Sequence, residues 1–164
     1  MNGEEITIEY TKLDESRQVR RGRLLEMYLF HCGCQYCNLP NEKAAASDAA
    51  RLELSQWQEK SFRTPLEWYN NTSLPDSYLV DGHIRCIALH EQESIIDMGY
   101  AMHVAELAIV YGMLADAANF VLWGRKAQKM LGIMRAENVT GPWEQWLTDP
   151  KRNFGLWGRR IARR

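Results

Sequence analysis

No stretch of this chain is long enough and apolar enough to span a bilayer. Nothing at its start looks like a secretory leader either: Met1-Asn2-Gly3-Glu4-Glu5 is acidic, where a leader is basic and then apolar. Net charge is almost absent. Twenty Lys and Arg against 21 Asp and Glu give −1 at pH 7, so bulk electrostatics does not point to nucleic acid. Cysteine is scarce, with four residues, and without secretion these read as metal ligands or buried thiols instead of a disulfide framework. For the same reason the acceptor triplets Asn70-Asn71-Thr72, Asn71-Thr72-Ser73 and Asn138-Val139-Thr140 carry no weight as glycosylation sites. The expected compartment is nucleus or cytoplasm, with no membrane partner.

A second β-strand is also lacking. Residues 5 to 10 alternate, with Ile6, Ile8 and Tyr10 on one face and Thr7 and Glu9 on the other, as a half-buried strand does. No later segment matches it, and a lone strand leaves its backbone groups and apolar face without partners. What remains is ordinary globular material: 164 residues, 46% apolar and 25% charged, enough for a real core.

The rest reads as helix. Asp14 or Ser16 is placed to cap a helix through about Phe30, with Leu24, Met27 and Tyr28 as its stripe and Arg17, Arg20, Arg21 and Arg23 around it. Ala44 to Lys60 is rich in helix formers. Pro65 suits the first turn of a short helix holding Leu66, Trp68 and Tyr69, and residues 70 to 76 read as a polar loop. Ile84, Ile87, Ala88, Ile95 and Met98 form one stripe, with Gly99 as its stop. Val104, Leu107, Ala108 and Tyr111 form the next, ending near Leu114. Asp116 is placed to cap a third, carrying Phe120, Val121, Gly124, Ala127, Leu131 and Met134. A short helix starts near Pro142 with Trp143 and Trp146. The pair from Val104 to Leu131 resembles one tetratricopeptide-type hairpin, without a second copy at that period.

The chemistry lies in Cys32-Gly33-Cys34-Gln35-Tyr36-Cys37. The spacing C-x-C-x-x-C turns three thiolates toward one point, as a tetrahedral zinc site needs. A structural zinc takes four ligands, and this cluster supplies three. Cys86 would be a fourth thiolate only if its helix folds back over the loop; it reads first as a small buried hydrophobe. His31 beside the cluster reads as a surface residue. His83, His90 and His103 lie on helices without close ligand-type neighbours and read as surface or core-edge residues. His90-Glu91 is not part of an H-E-x-x-H motif, since position 94 is Ser94. Met98, Met102 and Met113 read as core. Trp157 with Arg159, Arg160, Arg163 and Arg164 reads as a solvated basic tail.

The order Gly3-Glu4-Glu5-Ile6-Thr7-Ile8-Glu9-Tyr10, an arginine-rich helix, then Tyr28, Phe30, Cys32, Cys34 and Cys37 resembles the end of a SET domain and its post-SET loop. The pattern is similar to that of the SET-and-MYND-domain protein-lysine methyltransferases and their fungal relatives, with Arg21 and Leu24 also in place. The resemblance covers residues 3 to 37 by motif, and residues 41 to 158 only as a helical domain of the family's type. It implies that Tyr10 lines the target-lysine channel and orients the amine. It implies that Phe30 stacks on the adenine of S-adenosylmethionine, and that Cys32, Cys34 and Cys37 hold zinc. The family's asparagine-histidine-serine-cysteine segment, which carries the fourth zinc ligand, and its glycine-rich cofactor strand are not in these 164 residues.

The expected architecture is therefore mainly α, with an α+β N-terminus. A SET and post-SET remnant spans 1–40, a tetratricopeptide-like helical domain 41–158 and a basic tail 159–164. The expected function is that of a C-terminal part of a SET-domain protein-lysine methyltransferase, inactive alone, whose full protein acts on a histone or another lysine-bearing protein. The alternative is a non-catalytic helical module that binds a protein partner in a groove. A gene model that begins too late would account for both the orphan strand and the incomplete ligand set.

Overall fold

The computed structural model describes residues 10–60, 64–134, 136 and 141–163. The chain is mainly α, with no strand among the described residues. The expected strand falls on residues 5–9, outside the described ones, and Tyr10 sits in a bend. Two compact units result, Met1–Gln56 and Trp57–Arg164. The sequence-based division after residue 40 falls inside the first of them.

In the first unit, α1 (Arg17–Tyr28) begins where the sequence places a cap: the Ser16 side chain accepts from the Val19 N–H at 3.4 Å. It ends at Leu29, whose left-handed backbone (φ 56°) returns its N–H to the Leu25 carbonyl. The second helix, α2 (Asn41–Lys60), starts three residues earlier than the helix-former run. The unit's apolar core is small: Leu24, Cys37, Ala44, Ala50 and Leu54 are buried. Arginines do much of the joining. The Arg17 backbone N–H donates to Asp48 at 2.6 Å and its guanidinium to the Leu39 carbonyl at 2.8 Å. Buried Arg51 donates to the Leu13 carbonyl and lies over the Tyr36 ring at 5.2 Å. Such charge-assisted bonds tie loop carbonyls that no helix satisfies.

The second unit is built on α4 (Ser77–Gln92), α5 (Met98–Met113) and α6 (Ala117–Ile133), with α3 (Thr64–Asn70), α7 (Trp143–Thr148) and α8 (Pro150–Asn153) packed around them. The α5–α6 hairpin is the most extensive pair. Ala101, Val104, Ala105, Leu107, Ala108, Phe120, Ala127 and Leu131 are sealed in its seam. Its turn is the expected one: Ala115 takes a left-handed conformation (φ 60°), and the Asp116 side chain accepts from the Asn119 N–H at 3.0 Å. Gly124 is small because α7 lies on it. A Cβ there would meet Leu147 at 2.8 Å and Trp143 at 3.2 Å.

Two expectations fail here. The stripe expected to run from Ile84 to Gly99 is broken: α4 ends at Gln92, Ser94 turns through φ 53°, and Asp97 caps α5 by accepting from the Tyr100 N–H at 3.0 Å. The terminal arginines do not all form a solvated tail either. Arg160 is only 1% exposed; it donates to the carbonyls of Trp68, Asn71 and Leu74 and pairs with Asp76 at 3.4 Å. It gathers the loop after α3, serving the Leu74 carbonyl and adding a second donor to the Asn71 carbonyl, which also takes the Leu74 N–H. Of the methionines expected in the core, Met98 is exposed. No helix among the described residues is long and apolar enough to cross a membrane.

Candidate functional site

The cysteine loop leaves α1 through Leu29 and folds on itself. The Asn38 N–H bonds the Cys34 carbonyl at 3.0 Å and the Asn38 side chain donates to the Gly33 carbonyl at 2.8 Å. This turn brings the Cys32, Cys34 and Cys37 sulfurs within 4.8 Å of one another. None of the chain's cysteines is in a disulfide. Cys37 is buried and Cys34 exposed, with Cys32 between. Burial works to raise the Cys34 thiol. The Cys37 backbone N–H, then the Cys32 and Cys37 thiols and the Tyr36 backbone, outweigh it and hold the thiol below its ordinary value. Burial, with the neighbouring Cys32 and Cys34 thiols, pushes Cys37 up to about 11. Three thiols that depress one member while raising another compete for the protons, a conflict that a bound cation removes. The cluster is equipped to hold a metal ion.

Beside it lies an aromatic group. The Tyr10 ring stands edge-on to Tyr28 with centroids 5.2 Å apart, and to Phe30 at 6.0 Å. All three rings are exposed, as are Met27 and Leu29. The α1 stripe is thus split: Leu24 is buried, while Met27 and Tyr28 face outward. The sequence singled out Tyr10 and Phe30 separately, and the structure brings them together. His31 is exposed, as expected.

The second unit holds a cluster that sequence reasoning missed. His83 on α4 and His103 on α5 place their Nδ1 atoms 3.2 Å apart, and Glu106 brings Oε2 to 3.6 Å from His83 Nδ1. Both rings are buried, and so is His90, against the expectation of surface or core-edge positions. Burial pushes His83 down to about 4. Burial, followed by the neighbouring His83 and His90, pushes His103 down to about 3. Burial pushes Glu106 up to about 7. His90 is committed elsewhere: its Nδ1–H donates to the Ile95 carbonyl at 3.0 Å. The available signal was the spacing of His103 and Glu106, three residues apart and so on one face of a helix. It escaped notice because the partner His83 comes from the preceding helix. Cys86, as expected, is buried on α4.

No protein-family model matches the chain, and no curated protein or solved structure shows significant similarity to it.

Proposed function

We propose that the chain is the C-terminal part of a SET-domain protein-lysine methyltransferase, in which Cys32, Cys34 and Cys37 hold a structural zinc beside the cofactor pocket. The observation that carries this reading is the meeting of Tyr10 and Phe30 on an exposed aromatic face next to the three thiols. The resemblance gives these five residues neighbouring tasks; Tyr10 meets Phe30, and Phe30 lies two residues before the three clustered thiols. Exposed Met27 and Leu29 extend the face, as apolar surface that another part of an enzyme or a ligand covers.

On this reading S-adenosylmethionine would supply an electrophilic methyl group for a deprotonated lysine amine, with its S–CH3 bond broken and S-adenosylhomocysteine as the leaving group. Tyr10 would position that amine through its hydroxyl, and Phe30 would hold the cofactor at its adenine. Positioning of this kind contributes several kcal/mol to lowering the barrier. The cysteine cluster fixes the loop that carries Phe30. The substrate is a histone or another lysine-bearing protein of the nucleus or cytoplasm.

The test is capture of the native protein from its own cells with an antibody to the helical unit. Its intact mass and its transfer of labelled methyl to a histone mixture are then measured. A mass well above 19.1 kDa with transfer that Tyr10→Phe abolishes is expected. A captured protein of 19.1 kDa without transfer overturns the reading and favours a helical interaction module. That second reading draws on Leu122 and Ile133, both exposed and about three turns apart on one face of α6.

A further inference from the structure

We propose that His83, His103 and Glu106 form a second metal site, independent of the cysteine loop, that takes a divalent first-row transition ion such as zinc through two imidazole nitrogens and one carboxylate oxygen.

Distance is the first argument. Ligands bound at about 2.0–2.1 Å around a tetrahedral zinc lie about 3.3 Å from each other. The two imidazole nitrogens are 3.2 Å apart, and the carboxylate oxygen is 3.6 Å from one of them. All three donor atoms fall within 4.8 Å of one another, so one ion reaches each with little movement.

Placement is the second. His103 and Glu106 project from the same face of α5, and His83 comes from α4, which packs along it. Ligands on two packed helices are held by the backbone of each, as in metal sites built inside helical bundles. Around the site, Trp57 stands edge-on to His83 at 5.9 Å and His90 lies 5.6 Å from His103. The imidazoles are therefore walled off, while the Glu106 side chain is 27% exposed. Its exposed carboxylate gives the ion a way in.

A third observation concerns the cost of the cluster to the core. His83 is 2% exposed, and its Nδ1 faces the His103 Nδ1 at 3.2 Å and the Glu106 carboxylate at 3.6 Å. Two buried imidazoles and a carboxylate on facing helices are a costly way to fill a core. Two nitrogens and one oxygen suit zinc, cobalt, nickel or copper, and not magnesium or calcium, which prefer oxygen.

The experiment uses the full chain with Cys32→Ser, Cys34→Ser and Cys37→Ser, so that no thiolate of the loop competes. Zinc uptake is measured by calorimetry and by metal content after desalting. One zinc per chain is expected, with affinity at least tenfold lower in Glu106→Gln, a change of similar size at the site's rim. Cobalt is expected to give visible absorption bands without thiolate charge transfer. Should the triple substitution unfold the first unit, the unmodified chain is titrated beyond one equivalent of zinc while the imidazole nitrogens are followed by NMR. His83 and His103 resonances are then expected to shift together and His31 to stay in place. The proposal is overturned if the triple variant folds and takes up no zinc or cobalt, if Glu106→Gln binds zinc as tightly, or if the two imidazoles do not respond to zinc. Any of these leaves the pair as a neutral histidine–histidine hydrogen bond. Because the site lies outside the cysteine loop, its failure leaves the methyltransferase reading untouched.

Discussion

The backbone N–H of Cys37 donates to the Cys34 sulfur at 3.4 Å. A donor aimed at sulfur stabilises the thiolate, and Cys34 is also the exposed member of the cluster, whereas Cys37 is buried. In metal-free protein Cys34 is therefore expected to react first with iodoacetamide and Cys37 last, since the thiolate is the nucleophile. The depressed Cys34 pKa means that this reactivity persists to lower pH than for an ordinary thiol. Adding zinc is expected to protect both residues and to stabilise the fold by RT ln(1 + [L]/Kd), which raises the melting temperature. Peptide mapping after timed alkylation reads the order; equal labelling of Cys34 and Cys37 would contradict it.

How far the residues alone reach is clear from particular positions. Ser16 and Asp116 announce their helices because a cap is local, decided by a side chain and an N–H three residues on. The cysteine cluster is equally local. The break after α4 was hidden because Ile95, buried just past it, keeps the apolar period running through the turn. Arg160 read as a tail residue because its partners, Trp68, Asn71, Leu74 and Asp76, lie far back in the sequence. The histidine cluster was missed for a similar reason. Its ligand set exists only once α4 and α5 are packed.

Two glycines inside helices are expected to respond oppositely to alanine. Gly22 lies mid-way along α1, and a Cβ added there would meet nothing within 4 Å. Gly22→Ala is therefore expected to stabilise by about 0.5–1 kcal/mol through backbone entropy. At Gly112 a Cβ would meet Phe154 at 2.5 Å and Phe120 at 2.7 Å, and both rings are buried. Gly112→Ala is expected to destabilise by about 1–3 kcal/mol despite the gain in helix propensity. Urea unfolding of both variants checks the pair, and the same sign for both is the adverse result.

Arg160 supports a loop that the second unit's packing depends on. Its guanidinium serves three carbonyls, pairs with Asp76 and lies over the Trp68 ring at 4.7 Å. Arg160→Met takes the guanidinium from the Trp68 and Leu74 carbonyls and from Asp76, while the Asn71 carbonyl keeps the Leu74 N–H. The expected loss is about 3 kcal/mol. Arg160→Lys keeps the charge but not the planar fork, so an intermediate loss is expected. A Met variant within about 0.5 kcal/mol of the parent in denaturant unfolding would show that the network is not needed.

The Tyr100 hydroxyl donates to Glu91 Oε1 at 2.6 Å, with Lys126 3.4 Å from the same oxygen. Burial, and then the bond to Glu91, raise the Tyr100 phenol above 10.0, while the bond from Tyr100 is the chief cause that lowers Glu91 below 4.5. The signs differ for the two groups. A raised phenol pKa contributes stability that is present below the unfolded value and lost as pH climbs past it. A lowered carboxyl pKa contributes stability that is present above its unfolded value and lost as pH falls below it. This pair is thus expected to contribute a drop in unfolding free energy above about 10 and below about 4.5, added to the losses that His83 and His103 bring in acid and Cys37 and Tyr111 in alkali. Tyr100→Phe removes the shared hydrogen bond, so it is expected to cost about 1 kcal/mol at neutral pH. It is also expected to shrink both arms: Cys37 and Tyr111, raised in their turn, keep part of the alkaline one, and Lys126 still holds Glu91 in the acidic one. Urea unfolding across the pH range decides it: an alkaline arm of unchanged size in the Phe variant would assign the loss to other groups.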